Sequence, residues 1–182
     1  MKLILGFVGE IASGKGTATK YLVEKYGASS HRFSTPIRKV CEILHLEQSR
    51  ANLQKISETL RANIGEDIFA KILAKEAEQD TNEIVVIDGI RRPDDIKYLK
   101  KLPNFHVVNV AAEEVTRYNR LVERRENPDD ADKTLEQFRT QAEEEPERKI
   151  REVASQADFV IDNNGALENT QQQLDDLITK LK

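Results

Sequence analysis

The stretch GEIASGKGT, residues 9–17, decides the fold of this 182-residue chain. Its three glycines in nine residues disfavour both helix and strand. It directly follows the apolar run LILGFV, residues 3–8, and precedes the helix-forming stretch TATKYLVEKY. The stretch is therefore predicted to be a loop between a strand and a helix, and it matches the spacing G-x-x-x-x-G-K with Gly9, Gly14 and Lys15 in register.

This glycine loop has the features of a site for phosphate groups. Glycines let successive backbone N–H groups turn inward to form an anion nest, and the N-terminus of the following helix adds the positive end of its dipole. A lysine at this position can reach the β- and γ-phosphates of a nucleotide. We therefore predict that the nucleotide is bound by Gly9, Ala12, Ser13, Gly14, Lys15, Gly16 and Thr17.

One position departs from the common form of such loops. Gly16 follows the lysine where many of them have Ser or Thr, and Thr17 comes one residue later. Thr17 is a candidate to hold Mg²⁺, but the sequence leaves open whether it does so directly or through water.

Composition limits the classes of function. Hydrophobic residues make up 38% and charged residues 33%, with a net charge of -4, which indicates one globular domain over residues 1–182 and argues against bulk attraction to nucleic acid or anionic membranes. No apolar run approaches the ~20 residues that cross a bilayer, and the N-terminal apolar run is too short for a signal peptide, so we expect a cytoplasmic protein. A single cysteine, Cys41, and three scattered histidines give no metal-ligand spacing. The oligomeric state, monomer or dimer, stays open.

Short apolar runs alternate with longer helical patterns, which predicts an α/β fold with a five-stranded parallel sheet and helices on both faces. Four runs are nearly continuously apolar, as expected of buried strands, and a fifth, at 31–34, is weaker. The predicted strands are 3–8, 31–34, 84–88, 106–111 and 158–162. The predicted helices are 16–26, 36–46, 53–77, 94–101, 113–125 and 169–182, with Ser34 or Thr35 capping the one that Pro36 begins and a possible break at Gly65.

A second motif, IVVIDGIRRPDD, places Asp88 at the end of a buried strand. A carboxylate there can hold Mg²⁺ or its waters against a nucleotide, and an arginine just beyond it can bind an acceptor phosphate through two hydrogen bonds. Asp88 is therefore a candidate to orient the metal, and Gly89 with Arg91 or Arg92 is a candidate to lie at the acceptor. The alternative is an ordinary turn whose arginines are only solvated.

Arginines recur along the predicted helix 113–125. Arg117, Arg120 and Arg124 are three and four residues apart, so they share one face. Such a stripe is unfavourable unless acids or a polyanion neutralise it, and phosphoryl transfer needs cations around the transferred group. The following segment, 123–149, is dense in charge and predicts a solvated helical hairpin or loop, with a short charged lid at about 124–147.

These motifs resemble the nucleoside monophosphate kinases of the P-loop superfamily. GKGT and the D-G-x-x-R turn are similar to adenylate kinase, and R-L-x-x-R-R resembles the entry to its lid, which implies donor binding by Arg120 and Arg124. FSTPIRKV resembles the helix that holds the acceptor, which implies roles for Ser34, Thr35 and Arg38 in a helical region of about 34–80. The same segment is also similar to phage-type deoxynucleoside monophosphate kinases and animal-type phosphomevalonate kinases. Within this region Arg61 is expected near the acceptor.

The C-terminal third resembles dephospho-CoA kinase. ADFVIDNNG is similar to the strand and turn that lie near the donor adenine in that family, which implies that Asn163, Asn164 and Gly165 contact the donor. Arg139 matches its lid arginine. The acceptor side departs from that family, because Ser34-Thr35-Pro36 stands where the family has a catalytic carboxylate.

The sequence therefore predicts an ATP- and Mg²⁺-dependent kinase whose acceptor is a small molecule that carries a phosphate. Lys15, Asp88, Arg120, Arg124 and Arg139 are the predicted catalytic residues, and a nucleoside or deoxynucleoside monophosphate is the expected acceptor. Two alternatives stay open: another acceptor, dephospho-CoA or a phosphomevalonate-like molecule, and a P-loop ATPase that acts as a binding switch. No N-K-x-D motif follows the strands, which favours ATP over GTP.

Overall fold

The fold is described from a computed structural model that covers residues 2–124 and 132–182; the side chains of Arg50 and Arg124 lie outside what it describes. Strands and helices alternate along the chain. The strands are β1 (Leu3–Val8), β2 (Ser29–Arg32), β3 (Ile84–Asp88), β4 (Phe105–Ala111) and β5 (Phe159–Asp162). The helices are α1 (Lys15–Tyr26), α2 (Ser34–Ile43), α3 (Arg50–Ile64), α4 (Ile68–Gln79), α5 (Pro93–Ile96), α6 (Glu114–Arg124), α7 (Leu135–Ala142), α8 (Glu145–Ala154) and α9 (Leu167–Leu181), with a 3-10 turn at Leu99–Lys101.

In this part of the chain the strands form one parallel, five-stranded sheet in the order β2-β3-β1-β4-β5. The central strand β1 is buried along its whole length, since LILGFV has apolar side chains on both faces. Because all strands are parallel, their carboxyl ends meet at one edge of the sheet, where ligands of such folds bind. The predicted α/β fold with a five-stranded parallel sheet is confirmed.

Helices cover both faces of the sheet. On one face α1 and α9 pack against β1, β4 and β5 through an apolar cluster that includes Leu22 and Leu174. On the other face α2, α4, α5 and α8 pack against β1 and β3 through a second cluster that includes Leu73 and Val153. The position of α8 in this layer places the charged segment's second helix directly on the sheet.

Several predicted boundaries were wrong. The second strand is Ser29–Arg32, not 31–34, because Phe33 already has helical dihedral angles and α2 begins at Ser34. No side chain caps α2, so the expected cap by Ser34 or Thr35 was also wrong, and the helix ends at Ile43 rather than at 46. The predicted helix 94–101 is instead the four-residue α5 followed by a separate 3-10 turn. The break expected at Gly65 within 53–77 is present: α3 ends at Ile64, and Gly65, which follows it, has φ +145°.

The charged segment is less solvated than its composition indicates. Within its described part, 132–149, α7 and the start of α8 are helical, but Phe138 is completely buried. Just beyond this segment, Ile150 and Val153 of α8 are buried in the sheet layer. The first part of the predicted lid, 125–131, lies outside the described residues. In the ranges 2–124 and 132–182, no helix combines the length and the apolar character needed to span a bilayer.

Candidate active site

The glycine loop lies between the carboxyl end of β1 and the start of α1, at the centre of the ligand-binding edge. Its backbone takes conformations that favour glycine, with φ +156° at Gly9 and +102° at Gly14, and Ala12 also has a positive φ of 59°. The Nζ atom of Lys15 donates hydrogen bonds to the carbonyl oxygens of Gly9, at 2.5 Å, and Glu10, at 3.1 Å. The lysine side chain therefore folds back over the loop, which is predicted to bind the phosphates of a nucleotide.

The turn after β5 supports this loop from the side of β4. The buried side chain of Asn163 donates to the carbonyl oxygen of Ser13 at 2.7 Å and accepts a hydrogen bond from the Thr170 hydroxyl at 2.8 Å. Arg120 of α6 donates to the carbonyl oxygen of Asn163 at 2.7 Å. The structure thus brings together three of the predicted donor-side elements: the loop, Arg120 and Asn163.

The remaining predicted donor-side residues lie around this cluster. Asn164 accepts a hydrogen bond from the backbone N–H of Glu113 at 2.6 Å, which fixes the turn to the start of α6, and Gly165 is exposed beside it. Arg139 of α7 is exposed and forms an ion pair with Glu114 at 2.8 Å. The side chain of Arg124 lies outside the described residues. Their roles toward a donor stay predictions.

Asp88 lies at the carboxyl end of β3, next to β1 in the sheet. Its carboxylate is paired with Arg32 at the end of β2, 3.3 Å away, and this partner gave no motif in the sequence. Thr17 is exposed in the first turn of α1. Among the described residues, no three His, Cys, Asp or Glu side chains are grouped to hold a metal. One carboxylate, that of Asp88, and the Thr17 hydroxyl are a donor set that fits Mg²⁺. In kinase sites Mg²⁺ keeps several waters and takes one or two carboxylates together with substrate phosphates.

The predicted acceptor residues lie on the β2 side of the loop. Ser34 and Thr35 are half-buried in the first turn of α2, and the exposed Arg38 donates to the Gln48 side chain at 3.0 Å. Gly89 follows β3 and has φ +88°. A Cβ atom added to Gly89 would lie 3.7 Å from the Cβ atom of Phe33. The start of α2 is joined to the end of β3, since the N–H group of Phe33 donates to the carbonyl oxygen of Asp88 at 3.2 Å.

Arg91 and Arg92 differ in their surroundings. Arg91 is exposed beyond β3, whereas Arg92 is half-buried and forms an ion pair with Glu66 at 3.4 Å. The backbone N–H groups of both residues donate to the carboxylate of Asp95, at 2.9 and 3.1 Å. Asp95 therefore fixes the turn that presents the two arginines.

The Arg61 side chain, expected near the phosphate acceptor, is largely buried. Its guanidinium stacks over the Phe69 ring, 5.0 Å from the centroid, donates to the carbonyl oxygen of Glu66, and lies 3.6 Å from the carboxylate of the buried Asp95. Arg61 thus ties α3 to the turn that carries Arg91 and Arg92. Its predicted role in acceptor binding remains untested.

Burial raises the pKa of the Asp95 carboxyl, although Arg61 and the two backbone N–H groups oppose this effect. When the pKa of an acid is higher in the folded than in the unfolded protein, the acid contributes less to the unfolding free energy as pH rises. The decrease runs from the ordinary pKa of about 3.9 through the pKa of the folded state. We expect the difference in unfolding free energy, wild type minus Asp95→Asn, to fall as pH rises from about 4 to about 7. Urea unfolding at a series of pH values measures it.

The exposed neighbour Asp94 provides the control for this prediction. The difference between wild type and Asp94→Asn should change much less over the same pH range. A wild-type-minus-Asp95→Asn difference that rose with pH would contradict the direction assigned to the Asp95 pKa.

Two arginines that pair with the glycine loop give no motif of their own in the sequence. Arg117 is buried rather than part of an exposed stripe, and it forms an ion pair with Glu10 of the loop at 3.2 Å. Arg151 of α8 pairs with the same carboxylate at 3.3 Å. The one available signal was the place of Arg117 in the arginine stripe.

Comparison with known proteins agrees with this architecture. The family model described as an AAA domain (AAA_17) matches residues 8–139, which include the loop, Asp88 and α6. The chain belongs to this family. Relatives include UPF0200 proteins of Methanoculleus marisnigri, 28% identical over 98% of this chain and 96% of the relative, and of Hyperthermus butylicus, 27% identical over 99% and 95%.

Solved structures share the fold. TT1252 from Thermus thermophilus is similar with a TM-score of 0.67 at 18% identity, over 100% of this chain and 98% of that one. Shikimate kinase from Bacteroides thetaiotaomicron is similar with a TM-score of 0.64 at 17% identity, over 97% and 98%. Family and fold together confirm the predicted membership of the P-loop superfamily of nucleoside monophosphate kinase-like proteins. The fold is that of P-loop kinases, which generally bind nucleotide with Mg²⁺.

Proposed function

We propose that this protein transfers the terminal phosphoryl group of ATP to the phosphate of a nucleoside or deoxynucleoside monophosphate. The observation that carries the proposal is the arrangement around the loop at the end of β1. Asn163 and Arg120 flank the loop on the β4 side, whereas Asp88, Arg91 and the first turn of α2 follow the strands on the other side. A donor and an acceptor can therefore meet at the loop from opposite sides.

In this proposal the loop N–H groups and Lys15 bind the donor phosphates. Lys15 exchanges its bonds to the Gly9 and Glu10 carbonyls for bonds to the phosphates, while Arg120, Arg124 and Arg139 neutralise the charge that spreads over the transferred group. An oxygen of the acceptor phosphate attacks in line, so positioning and charge stabilisation suffice and no covalent intermediate on the protein is needed. Mg²⁺, when bound, neutralises phosphate charge; Asp88 and Thr17 are the residues that would hold it or its waters.

On the acceptor side, Arg38 is the residue whose loss should separate the two substrates. We expect Arg38→Ala to raise the acceptor KM by about 10-fold, because one charge-assisted hydrogen bond to a phosphate contributes about 1.5–3 kcal/mol, and to change the donor KM much less. Steady-state kinetics with each substrate varied in turn measure both constants. Arg38 is exposed, and among the described residues its side chain bonds only that of Gln48. The fold should therefore be unaffected.

The neighbouring Lys39→Ala provides the matched control, since Lys39 is an exposed cation on the same helix. Equal increases of donor and acceptor KM in the Arg38 variant would show that Arg38 does not bind the acceptor.

A second candidate function is phosphorylation of a hydroxyl group, as in dephospho-CoA kinase. Two similar structures are shikimate kinases, one of which has shikimate bound, and this favours keeping such acceptors in the test. A hydroxyl acceptor has to lose a proton, and in this candidate function Asp88, at the end of β3, would accept it.

One experiment separates these functions. Purified protein is incubated with Mg²⁺ and ATP and, separately, each common nucleoside and deoxynucleoside monophosphate, dephospho-CoA, phosphomevalonate or shikimate, and products are separated by chromatography. The proposal expects a nucleoside diphosphate to form in step with ADP. A product from dephospho-CoA or shikimate would favour the second candidate, whereas a product from phosphomevalonate would keep transfer to a phosphate but replace the nucleotide acceptor. ADP with free phosphate and no acceptor would indicate an ATPase that acts as a switch. A Lys15→Ala preparation in parallel excludes a contaminating kinase.

A further inference from the structure

The glycine loop contains a carboxylate, that of Glu10, which binds two arginines. Glu10 forms an ion pair with Arg117 of α6 at 3.2 Å through one oxygen, and with Arg151 of α8 at 3.3 Å through the other. The Glu10 side chain is 23% exposed. One residue of the loop thus connects two helices from separate parts of the chain.

Arg117 joins Glu10 to the start of α6 and to α7. Its side chain is 6% exposed, and its guanidinium also donates to the carbonyl oxygens of Ala112, at 3.1 Å, and Ile11, at 3.5 Å. The same guanidinium lies over the buried Phe138 ring of α7, 5.4 Å from its centroid. Because removing the partner of a buried charge is costly, the Glu10 and Arg117 side chains are expected to stay paired when either one moves.

Arg151 extends the connection to the end of α7. It donates to the carbonyl oxygen of Ala142, the last residue of α7, at 2.7 Å, and it pairs with Glu143 at 3.3 Å. α7 carries Arg139, the predicted lid arginine. A displacement of Glu10 would therefore reach α7 through a single side chain.

The surroundings leave room for such a displacement. A cavity of about 270 Å³ adjoins the network and is lined in part by Glu10, Ser13, Arg117 and Arg151. The buried hydroxyl of Ser13 has no hydrogen-bond partner among the described residues. Close-packed interiors do not deform continuously, so a side-chain rearrangement needs open space of this kind next to it.

We propose that Glu10 is a positioning residue that couples the phosphate-binding loop to α7, and thereby to Arg139, through Arg151 and Arg117. This inference rests on the proposed function, because it requires a nucleotide at the loop. When the loop closes on phosphates and Lys15 leaves the Gly9 and Glu10 carbonyls, Glu10 shifts with the backbone. Arg151 follows its carboxylate and moves the end of α7 with it. The coupling is reciprocal, so fixing α7 also favours the phosphate-binding form of the loop.

Hydrogen exchange of the full chain, with and without Mg²⁺ and a non-hydrolysable ATP analogue, tests this coupling. In the wild type, binding of the analogue should slow exchange of the backbone amides of residues 135–142 by at least about 5-fold, the lower end of typical coupling between sites. Glu10→Gln and Arg151→Met should still bind the analogue, about 5- to 20-fold more weakly, and should lose this slowing. Two variants are used so that a failure of one to fold leaves the other as the test.

Glu143→Gln is the matched control, because Glu143 also pairs with Arg151 but is exposed and does not belong to the loop. It should keep both the affinity and the slowing of exchange. The proposal is overturned if α7 is slowed equally in wild type, Glu10→Gln and Arg151→Met, or if Glu143→Gln loses the slowing as they do. In those cases analogue binding, and with it the proposed function, would stand; a wild type that did not bind the analogue would remove both.

Discussion

The Lys15→Ala variant is expected to lose phosphoryl transfer, with kcat/KM reduced by at least about 10³-fold, while its fold is retained. Lys15 supplies a positive charge at the centre of the predicted donor site, where no water can replace it once phosphates are bound. The half-buried Lys15 ammonium donates to the carbonyl oxygens of Gly9 and Glu10 in the loop itself. Water can replace the lysine at these oxygens, so unfolding free energy should change by less than about 1 kcal/mol.

A coupled assay of ADP formation and urea unfolding measure the two effects. Lys20→Ala is the matched control, because Lys20 lies on the same helix, is 75% exposed and pairs only with Glu24 among the described residues. It should leave both quantities unchanged. If Lys15→Ala retained most of its kcat/KM, the assignment of the loop as the donor phosphate site would be wrong.

The sequence predicts the central strands well for a physical reason. β1 and β3 are covered by helices on both faces, so their sequences, LILGFV and IVVID, are almost wholly apolar and their bounds of 3–8 and 84–88 agree with the structure. The edge strand β2 has no such signal. Its residues SSHR alternate between half-buried and exposed, and its position is set by pairing with β3, from Ser29 with Val85 to Arg32 with Asp88.

The candidate site divides in the same way. Lys15 and the glycines act within nine consecutive residues, so their spacing alone predicts the loop. Glu10, Arg117 and Arg151 meet only because parallel strands bring residues far apart in the chain to one edge, and no spacing pattern connects them. The composition of the charged segment predicts solvation, and the structure differs for a similar reason. Phe138 is the single aromatic residue of 123–149, and its burial under Arg117 depends on that long-range packing.

The Gly14→Ala variant should show the second large effect, on both nucleotide binding and stability. Gly14 has φ +102°, which L-residues with a side chain rarely adopt, and an added Cβ would lie 2.0 Å from the Nδ2 atom of Asn163. Either the loop or Asn163 has to move, which breaks the bond from Asn163 to the Ser13 carbonyl. We expect a loss of about 2–4 kcal/mol of unfolding free energy and at least about 100-fold weaker nucleotide binding, measured by urea unfolding and calorimetry.

Gly16→Ala provides the control for stability, because Gly16 is inside α1 and, apart from the adjoining backbone, no atom of the described residues lies within 4 Å of an added Cβ. Its unfolding free energy should be unchanged or up to about 1 kcal/mol higher, since alanine favours a helix over glycine. The double variant Gly14→Ala/Asn163→Ala identifies the cause of the Gly14 effect. If the clash dominates, removing the Asn163 side chain should make the double variant less destabilised than the sum of the two single variants. A fully additive double variant would instead assign the loss to backbone strain at Gly14 alone, since that strain does not depend on what residue 163 carries.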